Sequence, residues 1–181
     1  MALPHAPDIT AADQATGNLD APLTLLEYGD YQCPHCALAF PTVKKLIAEF
    51  GERIRFVYRH FPISKAHPQA THAAYAAEAA GLQGKFWLMH DLIFTHQQRL
   101  PESPFALYAL ELGLDEARFA HDFASETVRQ KVEADFEGGM RSGVNGTPSF
   151  FINGQKYNGN HDHTTLHTVI EHELGKLGAG K

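Results

Sequence analysis

Residues 23–36 read LTLLEYGDYQCPHC, and the reading of this stretch decides the fold. Leu23 to Tyr28 is apolar or β-branched apart from Glu27, bounded by Pro22 and by Gly29-Asp30. A short apolar run between turn residues reads as a buried strand. Pro34 then suits the first position of a helix, where its missing N–H has no partner to lose. Cys36, Phe40, Val43, Ile47 and Phe50 recur at helical spacing, so they are predicted to form one core-facing stripe that Gly51 ends. Pro41 lies inside that helix and is predicted to kink it.

Working outward, residues 53–60 (RIRFVYRH) place Ile54, Phe56 and Tyr58 on one side of a second strand. Strand, helix and strand make a βαβ unit. Residues 64–141 turn helical: an alanine-rich segment stops at Gly81, and Phe86, Met89, His90 and Ile93 mark the next helical face. Further helices are predicted over 105–112 and 115–123, and from Val128, Val132, Phe136 and Met140. Strand signals return at 148–152 (PSFFI), followed by Asn153-Gly154, a strong hairpin turn signal. A last helix starts near Asp162, a good N-cap, and buries Leu166, Val169, Ile170, Leu174 and Leu177. The helical block therefore reads as an insertion between two halves of one α/β domain. Residues 1–16 read as an irregular arm, 17–62 and 144–181 as the α/β domain, and 63–143 as the inserted helical subdomain.

The chain has 181 residues, 44% of them hydrophobic, which is enough for a core without disulfides. A net charge of −6 gives no basic footprint, which excludes nucleic acid as the natural partner. No apolar run is long enough to span a membrane. The first twenty residues lack the charged start and apolar core of a secretory signal. The expected compartment is the cytoplasm, or the periplasm if a signal has been removed.

Both cysteines of the chain are Cys33 and Cys36. A Cys-x-x-Cys that follows a buried strand and opens a helix has the setting of a redox centre. Cys33 falls at the helix start, where free N–H groups and the dipole favour a thiolate; it is expected to be the exposed nucleophile. Cys36, one turn on and facing the core, is the sheltered resolving thiol. A protonated His35 adds to the stability of the Cys33 thiolate, which favours an oxidising pair. Glu27 alternates with Leu23 and Leu25, so it is predicted to be buried and able to exchange a proton with Cys36. Zinc is the competing reading of the cysteines, with His35 or His60 adding ligands, but there is no second Cys-x-x-Cys and no Cys2His2 spacing. His163 and His167, one turn apart, can also bind metal. An inert structural bridge closes too small a loop to stabilise much.

The stretches APLTLLEYGDYQCPHC (21–36), RFVYRHFP (55–62), GKFWLMHDLIF (84–94) and GVNGTPSFFING (143–154) resemble the thioredoxin superfamily, and within it the DsbA-like thiol–disulfide oxidoreductases. The resemblance runs from about Gly17 onward. It implies a thioredoxin-like α/β fold with a helical insertion, and the Cys33-Pro34-His35-Cys36 motif as active site. It puts Glu27 in the place of the family's buried acid and makes Thr147-Pro148 the cis-proline loop facing the cysteines, where an extended substrate docks. Thr147 stands where the best-known oxidase has valine, and threonine there also occurs among disulfide isomerases. The implied partners are protein thiols or disulfides and a redox protein or glutathione for recycling. No bound cofactor and no metal are expected. Another class of function fits the same groove: a redox-silent module that holds unfolded peptides.

Overall fold

The computed structural model describes residues 4–179. Five strands form one sheet: β1 (Gln14–Gly17), β2 (Leu23–Gly29), β3 (Ile54–His60), β4 (Ser149–Ile152) and β5 (Gln155–Tyr157). Their order across the sheet is β1-β3-β2-β4-β5. β2 and β3 run parallel, with Leu23 opposite Ile54 and Gly29 opposite His60. The crossover between them is α1 (Pro34–Phe50), and every other pairing is antiparallel. β4 and β5 are joined at Asn153-Gly154, both at positive φ (47° and 83°), as a tight two-residue hairpin requires.

Between β3 and β4 the chain is helical: α2 (Ala70–Gly81), α3 (Phe86–Thr95), α4 (Phe105–Glu111), α5 (Glu116–Phe123) and α6 (Glu126–Arg141), with a 3-10 segment Gln97–Glu102 after α3. The final helix is α7 (His163–Ala179), whose Thr165 N–H is capped by Asp162 at 3.0 Å. One sheet face carries Leu23, Leu25, Ile54, Phe56 and Tyr58 into a core shared with α1, α7 and helices α2 to α5. The other face buries Leu26, Tyr28, Val57 and Phe151 beneath the N-terminal arm and α6. The core of the α/β elements and that of most of the helical block are therefore continuous.

Gly29 is where the tyrosine of β3 crosses β2. A Cβ there would meet the Tyr58 ring and hydroxyl at 2.4–2.5 Å, which only glycine avoids. The buried stripe of α1 is Cys36, Ala39, Val43, Leu46 and Phe50. Phe40 and Ile47, expected in that stripe, are half-buried beside it. The sheet and the helical block approach α1 from two sides, so its apolar surface is broader than a single stripe. Met140 and Leu177, also expected inside, are exposed; at the end of α6 it is Gly138 and Gly139 that face Tyr28 and Phe61, because a strict spacing of four drifts off the buried face of a 3.6-residue turn.

The arm is held by a buried ion pair that periodicity does not reveal. Arg59 donates to Asp13 Oδ1 and Oδ2 at 2.7 and 2.9 Å, to the carbonyls of Pro7 and Asp8, and to the Tyr28 hydroxyl. The two charged side chains are 6% and 5% exposed. Removing one partner would strand the other charge in the interior. Arg59→Met is therefore expected to lower stability by about 3–5 kcal/mol. Denaturant unfolding, with hydrogen exchange over residues 5–17, checks this; a loss below about 1 kcal/mol would mean that water replaces the pair.

Candidate functional site

Cys33 is the N-cap of α1, with φ −72° and ψ 124°, and Pro34 opens the helix. The N-cap position aims the unpaired N–H groups of the first turn at the Cys33 side chain. The thiol donates to the Thr147 carbonyl at 3.4 Å, and the Thr147–Pro148 peptide bond is cis. The Thr147 hydroxyl is buried with no hydrogen-bond partner, and it is among the groups that favour the ionised sulfur.

Both cysteines are free thiols, and both are covered: Cys33 is 4% exposed and Cys36 0%. The expectation of an exposed Cys33 is corrected here, because the Thr147 loop closes over the sulfur that the helix start alone would leave open. The asymmetry between the two sulfurs lies in hydrogen bonding instead. The hydrogen bond from Cys36 leads the effects that pull the Cys33 thiol down to about 5; the Thr147 hydroxyl and the N–H groups of Cys36 and His35 add to it against the cost of burial. Burial, helped by the Cys33 bond and by the charges of Glu27 and Cys33, pushes the Cys36 thiol well up. The His35 side chain is exposed, and what reaches the sulfur from His35 is its backbone N–H.

Glu27 stands in central strand β2 with Tyr58 of β3 and Phe150 of β4 as its register neighbours. It is buried, and burial, followed by the charge at Cys33, raises its carboxyl to about 8. It lines a cavity of about 290 Å³ between α1 and α3, alongside Lys44 and Asp91, which are paired at 2.7 Å. The six steps from Glu27 to Cys33 thus carry the chain from within the sheet to its end, with the carboxyl close enough for its charge to act on both sulfurs.

The loop 30–33 is anchored by residues that the sequence did not single out. Asp30 is buried and accepts from the N–H groups of Gln32 and Ile63 and pairs with His67 Nδ1 at 2.7 Å. Its own N–H donates to Cys36 Sγ at 3.4 Å. The Tyr31 hydroxyl pairs with His90 Nδ1 at 2.9 Å, and Gln32 accepts from the Gln69 N–H at 2.7 Å. The Gln97 amide donates to the carbonyls of Tyr31 and Cys33, both at 2.9 Å. Asp30 has a local signature, an acid two residues before the N–H it accepts from, as in an Asx turn. Gln97 has none, since its partners lie far away in sequence.

His60, Glu78 and Asp135 form a buried cluster whose donor atoms lie within 4.8 Å of one another. Most of these atoms are engaged within the protein: His60 Nε2 with Glu78 at 2.7 Å, Gln14 with Glu78 at 2.9 Å, and the Lys131 ammonium with Asp135 at 2.5 Å, while His60 Nδ1 is buried with no partner. The lysine supplies the positive charge that two buried carboxylates require. His60 stays outside the cysteine site, and His163 pairs with Glu49 at 2.7 Å on the α1–α7 face.

Residues 10–172 match the family described as Thioredoxin. Among curated relatives, the Na(+)/H(+) antiporter NhaA 1 of Salinispora arenicola is 41% identical over 170 residues, covering 94% of this chain and 26% of that protein. The Na(+)/H(+) antiporter NhaA of Herminiimonas arsenicoxydans is 42% identical over 159 residues, 88% of this chain and 25% of that protein. The chain thus spans about a quarter of the length of the curated relatives it matches. Among solved structures, a thioredoxin-like oxidoreductase from Silicibacter pomeroyi superposes with a TM-score of 0.81 at 27% identity, over 91% of this chain and 93% of that one. BdbD from Bacillus subtilis gives 0.80 at 23%, over 96% and 98%. Wolbachia pipientis alpha-DsbA1 gives 0.79 at 21%, over 95% and 96%. With a sheet of this order, a Cys-x-x-Cys at the start of its crossover helix and a family match over most of its length, the chain belongs to the thioredoxin family and has the DsbA-like form of its fold.

Proposed function

We propose that the protein is a thiol–disulfide oxidoreductase that exchanges disulfides with protein substrates through Cys33 and Cys36. The observation that carries this reading is the split between the two thiols: Cys33 is drawn down to about 5 by converging donors, while Cys36, one turn away, is driven up. A low-pKa sulfur backed by a buried thiol is the arrangement that exchange requires.

In the oxidising direction, a substrate thiolate attacks Cys33 Sγ of the Cys33–Cys36 disulfide. An S–S bond to Cys33 forms and the bond to Cys36 breaks. The electron pair leaves on Cys36, which takes the proton of the Glu27 carboxyl directly or through water. A second substrate thiolate then attacks the substrate sulfur of the mixed disulfide and expels Cys33 as its thiolate. The substrate loses two electrons and the protein gains them. A redox protein in its disulfide form, or glutathione disulfide, restores the Cys33–Cys36 disulfide by the reverse exchange and takes up the two electrons. The Thr147 backbone lines the approach to Cys33, and Leu38, 73% exposed on α1, offers an apolar contact to an extended chain. A protonated His35 ring adds positive charge at the same helix start. The antiport in the relatives' names is not carried over, since about a quarter of their length is matched and no helix of the described residues is long and apolar enough to cross a membrane.

Cys33→Ser is expected to abolish exchange, whereas Cys36→Ser traps mixed disulfides that appear on non-reducing gels. Absence of trapped adducts, with turnover intact, would remove the mechanism. Because the thiolate is stabilised in the reduced state, the pair should be oxidising, with a potential nearer to about −120 mV than to about −270 mV when titrated against glutathione.

Glu27→Gln should slow resolution by Cys36 and also leave a stability signature. The buried carboxyl has a folded pKa near about 8 against 4.5 for the free group, so its cost is absent at pH values below 4.5 and grows as pH rises toward 8. The variant should therefore be more stable than wild type by about 3 kcal/mol near pH 7 and equal to it near pH 4. Equal differences at the two pH values would place Glu27 in an environment where it ionises freely.

A further inference from the structure

Gln97 belongs to the 3-10 segment Gln97–Glu102 of the helical block, yet its side chain reaches the loop that carries the nucleophile. A side-chain amide nitrogen has two hydrogens. Here the nitrogen contacts two carbonyls at 2.9 Å, those of Tyr31 and Cys33, on either side of Gln32. Asp30, Tyr31 and Gln32 are anchored through their own side chains. Among the described residues, Gln97 is the one side chain that hydrogen-bonds the backbone of Cys33.

The Cys33 carbonyl has a second donor, the Ala37 N–H at 3.1 Å, which makes the first backbone bond of α1. A carbonyl gripped by two donors from different elements cannot turn without breaking one of them. Its orientation fixes ψ of Cys33, and ψ and φ together set where Cβ and Sγ point over the first turn of the helix. The donors that favour the thiolate, the N–H groups of His35 and Cys36, belong to that turn. The Tyr31 carbonyl, held by the same amide, fixes the approach of the loop two residues earlier.

We propose that Gln97 is a positioning residue for Cys33: by holding the Tyr31 and Cys33 carbonyls together it keeps the sulfur aligned with the amide donors of α1. This rests on the exchange reading above and assigns part of its tuning to the helical block. The titratable groups around the sulfur are Cys36 and His35 on α1 and Glu27 on β2; Thr147, across from it, is uncharged. On the segment of Gln97 itself, the His96 ring lies against Tyr108 and Arg99 pairs with Glu102. A neutral substitution at Gln97 therefore acts through backbone geometry and leaves those charges in place.

The test is the pH dependence of Cys33 alkylation by iodoacetamide in the reduced full-length chain, read by peptide mass, with thermal unfolding beside it. Gln97→Leu removes both donors at similar volume, and Gln97→Glu turns an acceptor toward the two carbonyls. The expected order of thiolate midpoints is wild type, then Gln97→Leu, then Gln97→Glu, with alkylation below about pH 5 falling by about threefold or more in the leucine variant. If that variant does not fold, Gln97→Ala gives the same readout without adding bulk. A wild-type midpoint near 5 with an unchanged midpoint in the neutral variant, leucine or alanine, whatever its unfolding temperature and whatever the glutamate does, overturns the positioning role and spares the exchange reading. A wild-type midpoint near about 8.5, the ordinary thiol value, overturns both.

Discussion

The interior beneath the crossover helix has donors for one negative charge, and the rest of the site follows from that limit. Cys33 takes the charge because it alone sits at the N-cap of α1, where N–H groups have no helical partner. Once the charge is there, the low-dielectric surroundings oppose a second one. Burial and the Cys33 charge keep Glu27 protonated, and burial with the same neighbours keeps Cys36 a thiol. The carboxyl and the two sulfurs therefore behave as one set of acids sharing protons, and their titrations belong to the set more than to any member. In the exchange proposed above, the charge that appears on Cys36 as the Cys33–Cys36 disulfide is opened is matched by a proton that Glu27 holds close by.

This arrangement needs a loop that does not move. Residues 30–33 are each tied to a segment outside the βαβ unit: Asp30 to the turn after β3, Tyr31 to α3, Gln32 to the start of α2, and Cys33 to the segment after α3. The helical block is thus a template against which the redox loop is cast. Its own packing is continuous with the sheet through Phe86, Met89, Ile93 and Phe94, so the template is fixed by the same core that fixes the strands.

Much of this was legible in the sequence, because strands, helix starts and tight turns have local causes. Leu23 to Tyr28 reads as a strand from its run of apolar residues, Pro34 announces the helix, and Asn153-Gly154 supplies the positive φ angles of the hairpin. The Cys-x-x-Cys could be assigned to a helix start for the same reason. What sequence periodicity missed depends on distant partners. Ala39 and Leu46 displace Phe40 and Ile47 from the deepest positions of α1 because two bodies, not one, press on that helix. The closeness of the Thr147 loop over Cys33, the Arg59–Asp13 pair and the reach of Gln97 join residues from 46 to 114 positions apart; the resemblance puts Thr147-Pro148 at the cysteines, but no local pattern marks the partners in the other two contacts.

The arm has a consequence for the order in which the molecule can be completed. It begins beside β5, where His5 bridges to Gln155, crosses the second sheet face through Ala6 and Ile9, and ends as β1 on the opposite edge, paired with β3. During synthesis β1 can find β3 as soon as β3 itself has been made. Pro7 and Asp8 can then reach Arg59, but His5 and Ala6 have no partner until Gly154 and Gln155 emerge, because the Ala6 N–H bonds to the Gly154 carbonyl at 2.8 Å. Closing so long a loop is slow compared with local pairing. The second face of the sheet is therefore sealed late, by a segment that precedes every other strand: its β1 forms one outer edge of the sheet, and its bridge at His5 meets β5 at the other.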